Sequence, residues 1–211
     1  MKPRHLAIAL VLGAVVVAAC AMFDRAAFHA MYVGAGLDST AAPAARDALA
    51  RHDRYQALRA VGFLPTWIAL GLTLLLIQTK PGEPRCDRCL GLRVMGAAAL
   101  AGGIAEGLRP LIERVRPLFT DGVTHFHSVP GLAREQISFG GASSHAAVAF
   151  GGAFAILFAH PRAGWIVLPL AAGCACTRLA SGAHFLSDVV AGALLGFVAA
   201  GALSRCCKPR A

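Results

Sequence analysis

Charged side chains are scarce in this sequence. They account for 15% of its 211 residues and aromatics for 7%, against 57% hydrophobic positions and a mean hydropathy of +0.62. So little charge excludes an ordinary soluble domain and indicates an integral membrane protein. The formal charge is +9, yet no single basic patch gathers it. The basic residues are spread among the flanks of apolar segments, which excludes a nucleic-acid footprint and suits anionic lipid headgroups. The seven cysteines lack the arrangement of a disulfide framework. Cys20, Cys174 and Cys176 lie in apolar runs as small packing residues. Cys206 and Cys207 close the last segment, and Cys86 with Cys89 form a lone C-x-x-C in a short loop. No second pair or neighbouring histidine completes a zinc ligand set there, and a cytoplasmic pair stays reduced. No internal repeat is evident. Alanine and glycine are plentiful, and small residues let membrane helices approach closely.

Six apolar segments approach the length of a bilayer span. They run Leu6–Phe23, Val61–Gln78, Leu92–Leu108, Ser144–His160, Gly164–Leu179 and Ser187–Leu203. The expected fold is an all-α, polytopic membrane helical bundle of about six transmembrane helices, folded as a single membrane domain over residues 1–211. Basic residues mark one side: Lys2 and Arg4, then Lys80, Arg85, Arg88 and Arg93, then Arg162, then Arg205, Lys208 and Arg210. That side is expected to be the cytoplasm and to hold both termini. The loops Asp24–Ala60, Arg109–Ser143 and Ala180–Leu186 then face outward. Val17-Ala18-Ala19-Cys20 also reads as a lipoprotein cleavage box, but the first segment is taken as an uncleaved span. Within 24–60, Thr40-Ala41-Ala42-Pro43 marks a helix start. That helix is either interfacial, beside the site, or plainly solvated.

Ionisable groups at the edge of a membrane segment are costly and need a reason. The stretch Arg178 to Asp188 places an arginine, a histidine and an aspartate there. If the chain is helical from His184 onward, Asp188 lies four residues on and shares its face. A carboxylate so placed holds one imidazole nitrogen and leaves the other free to attack. Arg178 adds a planar fork suited to phosphate. Two other outward clusters share that membrane face: Arg109 through Arg116-Pro117, and Gly141-Ala142-Ser143-Ser144-His145. Glu106, one turn before Arg109, either supports it or merely neutralises it. His125-Phe126-His127 between the clusters is a weak chelating pair that more plausibly lines the rim.

At these residues the chain resembles the type 2 phosphatidic acid phosphatase family, whose pattern is K-x6-R-P, P-S-G-H and S-R-x5-H-x3-D. Here the third motif is Thr177-Arg178, His184 and Asp188, the second Ala142-Ser143-Ser144-His145, and the first Arg109 with Arg116-Pro117. Arginine stands for the leading lysine, alanine for proline and serine for glycine. Residues 92–203 form the expected catalytic core. The resemblance implies phosphoryl hydrolysis without metal or cofactor. His184 attacks phosphorus to give a phosphohistidine, and Asp188 orients it. His145 protonates the leaving oxygen and then activates water. Arg109, Arg116 and Arg178, helped by Ser143 and Ser144, bind phosphate oxygens. The implied partner is a membrane lipid with a phosphate or pyrophosphate headgroup, met at the outer face of a bacterial-type cell membrane. The alternatives are a lipid phosphotransferase of the same fold, or a non-enzymatic lipid-binding or transport protein. The family also contains vanadium haloperoxidases, from which the short, span-dominated chain is set apart.

Overall fold

A computed structural model describes residues 3–77, 85–129 and 131–206. Met1, Lys2, Gln78, Lys80, Cys207, Lys208 and Arg210 lie outside the described residues, as do the side chains of Arg4, Arg85, Cys86, Arg88, Cys89, Arg205 and Cys206. Nine helices make up the described fold: α1 Pro3–Met22, α2 Asp24–Met31, α3 Ala41–Arg51, α4 Asp53–Ala60, α5 Leu64–Ile77, α6 Arg85–Ile112, α7 Ser144–Ala159, α8 Pro161–Ala180 and α9 Leu186–Cys206. The two-residue strands β1 (Arg114–Val115) and β2 (Phe139–Gly140) pair antiparallel in the loop between α6 and α7.

Each of the six apolar segments contains a helix over most of its described residues. By length and composition, α8 and α9 are able to cross a membrane, and up to four spans result if the bent pairs α1–α2 and α4–α5 each count as one. At 16 residues α7 is a shorter apolar helix. The longest, α6, extends well beyond Leu92–Leu108 at both ends, so Cys86 and Cys89 belong to its first turns and not to a loop. The region 24–60, expected as a loop with one helix, carries three. The start of α3 is capped by Asp38 and not by Thr40: Asp38 Oδ1 accepts from the backbone N–H of Thr40 (2.9 Å) and Ala41 (2.7 Å). A short carboxylate two residues upstream reaches those free donors better than the threonine hydroxyl, which itself donates to Asp38 (2.7 Å). The 61° bend between α4 and α5 is pinned by side chains. Trp67 Nε1 donates to the Val61 carbonyl and Thr66 Oγ1 to the Ala60 carbonyl, both at 2.7 Å, satisfying groups that the broken helix leaves open.

Helix α7 is the axis of the bundle and packs against α6, α8 and α9. Its core is built from small residues: Ala146, Ala147, Ala149 and Ala153 are fully buried, with Ala97, Ala98 and Ala101 of α6 against them. Large apolar side chains such as Val11, Leu12, Trp165 and Ile166 instead point outward, the expected inversion for helices solvated by lipid. Glycine sets the spacing. A Cβ on Gly196 of α9 would stand 2.6 Å from the Gly151 nitrogen of α7, and one on Gly192 would strike the Ser143 carbonyl at the start of α7. The α7–α9 contact therefore fixes how closely the second and third sequence clusters approach. Gly196→Ala should destabilise the detergent-solubilised protein by about 1–3 kcal/mol through overpacking. Gly107→Ala on α6, where an added methyl meets nothing within 4 Å, should be neutral or stabilising by up to ~1 kcal/mol. Thermal unfolding of the two variants checks this, and equal effects would contradict close α7–α9 packing.

Candidate active site

The end of α6, the starts of α7 and α9 and the end of α8 meet at one end of the bundle. Helix α9 begins at Leu186, so His184 precedes it and is not helical as expected. Asp188 occupies the third helical position, and its Oδ2 accepts from the Phe185 backbone N–H at 3.0 Å, the return half of a capping box. The carboxylate is thereby used to close the helix start.

His184 is 3% exposed. Its Nδ1 lies 3.2 Å from the Gly141 carbonyl and 3.8 Å from Asp188 Oδ2. Only the first is a hydrogen-bond distance, and a carbonyl can only accept. Nδ1 therefore carries the proton, and the lone pair of the neutral ring sits on Nε2. Gly141 provides this acceptor from a backbone with φ of 133°, a conformation that L side chains rarely adopt. The direct carboxylate grip expected from i,i+4 spacing is thus replaced by a backbone one, because His184 falls outside the helix. Burial holds the His184 pKa below the ordinary 6.5, with Asp188 opposing and the Arg178 and Arg116 charges adding to the depression.

The other expected residues are distributed as follows. Arg178 ends α8, is 7% exposed, and its Nε has no hydrogen-bond partner. Arg116 follows β1 and donates from Nε to the Phe139 carbonyl at 3.3 Å. Burial, then Arg109 and Arg178, lower its pKa, so three guanidiniums share one field. Arg109 is paired to Glu106 at 2.8 Å. Ser143 caps α7 by accepting from the Ala146 N–H at 3.4 Å, which leaves its own hydroxyl proton free to donate. Ser144 and His145 open α7. His145 Nε2 is buried without a partner, its ring packs edge-on against Phe63 at 5.2 Å, and Arg178, Arg59, His184 and Arg109 lie within its electrostatic reach.

Two cavities adjoin these residues. One, of about 210 Å³, is polar and is lined by Arg46, Tyr55, Arg59, Arg116 and Arg178 among others. The second, of about 320 Å³, is mostly apolar. It runs from Ser144 and His145 along Phe63, Gly102 and Gly103, between α5, α6 and α7. A larger apolar cavity of about 580 Å³ between α1, α6 and α9 is also lined by Gly141 and Ala142, and by Arg114, Thr124, Ser187 and Asp188, whose polar groups already bond one another.

Those bonds involve residues to which sequence reading assigned no role. Arg114 Nη1 donates to Asp188 Oδ1 (2.6 Å) and Ser187 Oγ (2.8 Å). Its Nη2 donates to Asp24 Oδ2 (2.7 Å) and Thr124 Oγ1 (2.9 Å). Asp24 also accepts from the Ser187 backbone N–H (2.8 Å) and hydroxyl (2.6 Å). The guanidinium lies over the Phe185 ring at 3.9 Å. Asp24 and Arg114 were visible as an isolated carboxylate and an arginine at two segment ends, but nothing in their spacing links residues 90 positions apart. Outside this network, His127, expected at the rim, and Arg134 clamp Glu113 at 2.9 and 2.6 Å. The His127 hydrogen bond lowers the Glu113 pKa below 4.5. That loop contact is in force above pH 4.5 and is lost as pH falls through the depressed value.

Arg114→Met leaves two buried carboxylates facing each other without a counter-charge. It should cost about 3–5 kcal/mol, read by thermal inactivation in detergent. Adding Asp24→Asn should recover part of that loss, and strictly additive effects would show that the two residues are not coupled.

The family model described as PAP2 superfamily matches residues 90–210, more than half of the chain. The bacitracin transport permease protein BcrC of Bacillus licheniformis is 37% identical over 73 residues, covering 35% of this chain and 36% of that protein. The chain thus spans about a third of the length of the curated relative it matches. No solved structure matches the chain.

Proposed function

This chain belongs to the PAP2 superfamily, and we propose that it is a multi-pass membrane phosphatase that hydrolyses a lipid phosphate or pyrophosphate through a phosphohistidine. One observation carries the reading. His184 has its Nδ1 proton engaged by the Gly141 carbonyl, its pKa held down by burial, and Arg116 and Arg178 close enough to act on its charge. That is a neutral imidazole with a free lone pair beside an anion site.

In the proposed cycle the Nε2 lone pair forms a bond to phosphorus while the bond from phosphorus to the leaving oxygen breaks. The electron pair leaves on that oxygen, which takes a proton from His145. Water then loses a proton to His145 and attacks the same phosphorus. The N–P bond breaks, returning its electron pair to His184 and releasing phosphate. Asp188 acts through charge at 3.8 Å, favouring the imidazolium that forms as the ring donates its electrons. Arg109, Arg116 and Arg178 meet the oxygens of the transferring group, and the free hydroxyl proton of Ser143 adds a donor. Such positioning and charge stabilisation are most of what phosphoryl transfer demands. The N-terminus of α7 adds its dipole. Ser144 and His145 also head the apolar cavity along α5 and α6, which supports a hydrocarbon chain on the leaving group. The basic segment flanks favour an outward-facing site with cytoplasmic termini.

Phosphate release from a lipid phosphate panel by the purified protein tests the reading. Release should persist in EDTA, and His184→Ala should abolish it, a loss of at least ~10³-fold for a residue that forms the covalent bond. Release only when a lipid alcohol is supplied would favour the transferase. No release by folded protein would leave a lipid-binding role.

The pH profile follows from the same group. Its pKa is depressed, so the neutral, nucleophilic form persists below 6.5. The acid limb of kcat/KM, which reports the free enzyme, should therefore fall below pH 6.5. A limb above that value would assign it to another group.

A further inference from the structure

We infer that Arg59, with Arg46 and Tyr55, forms a second anion subsite that takes the phosphoryl group next to the one attacked, so that the site is built for a diphosphate. This rests on the phosphatase reading above and goes beyond it. All three residues come from α3 and α4, outside residues 90–210 matched by the family model. None of them belongs to the three motifs by which the chain resembles the family.

The charge balance of the polar cavity requires an explanation. Arg46, Arg59, Arg116 and Arg178 line it, and Asp47 is the one carboxylate among its lining residues. Among the described residues, no carboxylate lies within ion-pair distance of any of these four arginines. A phosphate monoester carries about −1.5 to −2 charges, and Arg109, Arg116 and Arg178 are already enough for it. Arg46 and Arg59, in the same pocket as Arg116 and Arg178, repel those two unless a second anion enters with the first.

The position of Arg59 says which anion. Its guanidinium stands over the Phe63 ring at 5.5 Å, and Phe63 packs edge-on against His145 at 5.2 Å. Arg59 therefore lines the arginine cavity and lies against Phe63, which lines the apolar channel that His145 heads. Its Nε is buried without a partner, leaving a donor unused by the protein itself. A group placed there lies on the leaving side of the bond that breaks. In a diphosphate this group is the departing monophosphate ester, which keeps the electron pair of the broken P–O bond. Arg59 is suited to meet that charge, while Tyr55, 8% exposed in the cavity wall, restricts its shape.

The test uses the full chain in detergent with farnesyl diphosphate and farnesyl monophosphate as probes. Arg59→Gln should lower kcat/KM for the diphosphate by roughly tenfold or more beyond its effect on the monophosphate, as loss of a charge-assisted contact. Arg59→Lys should restore part of the difference. Arg46→Gln on the half-exposed face of α3 should give a smaller shift of the same sign, and it serves if the Arg59 variants fail to fold. Equal losses on both probes, or no loss on either, would overturn the subsite.

If wild type hydrolyses neither probe, the phosphatase reading fails by itself and binding decides the subsite. Arg59→Gln should then weaken methylene diphosphonate by about tenfold and leave inorganic phosphate within about twofold. Equal weakening of the two would mean a pocket for free phosphate, and the proposal would fall.

Discussion

The structure depends on one buried guanidinium. Arg114 holds the carboxylates of Asp24 and Asp188 in a region with almost no solvent, and so joins the loop after α6 to the starts of α2 and α9. Two carboxylates and one arginine leave a net negative charge, which the Ser187 hydroxyl and the backbone N–H groups of Phe185 and Ser187 spread over hydrogen bonds. Burying such a cluster is expensive, and hydrophobic replacements of similar volume are often as stable. Its return is placement. Asp188 is immobilised at the base of His184, and β1 is anchored so that Arg116, two residues on, reaches toward the arginine cavity.

Small residues carry this placement through the bundle. Gly192 allows α9 to approach the first turn of α7, and the Ser143 N–H donates to the Asp188 carbonyl at 2.9 Å. The chain that brings His184 near His145 therefore runs through contacts where a methyl group has no room. Lipid gives no hydrophobic drive between helices, so close packing and interhelical hydrogen bonds must supply the specificity.

Two arrangements of charge lie side by side. Behind Asp188 the charges are paired and hydrogen-bonded. In front of it Arg59, Arg116 and Arg178 stand without carboxylates, and buried side-chain nitrogens of Arg59, Arg178 and His145 are unsatisfied. Buried polar groups in proteins are as a rule satisfied. The proposed anion site rests on this contrast, with several groups free on one face and all but one nitrogen satisfied on the other.

Much of this was readable beforehand. Apolar runs of near-span length determine six helices because the backbone must satisfy itself in lipid, and charged residues at their ends mark the end of the bundle where the motif residues gather. The spacings of Arg178, His184 and Asp188, of Ser143 and His145, and of Arg109 and Arg116 are local facts, as is the family they resemble. What the sequence could not determine are relations between distant segments. Asp24 bonds Ser187 across 163 positions, Arg46 and Arg59 reach the cavity from an unmatched region, and Gly141 takes the His184 proton that i,i+4 spacing assigns to Asp188. Periodicity and motif spacing report neighbours along one helix. Which carboxylate meets which guanidinium, and which of them stay unpaired, was decided only when helices with interchangeable small-residue faces settled into one packing.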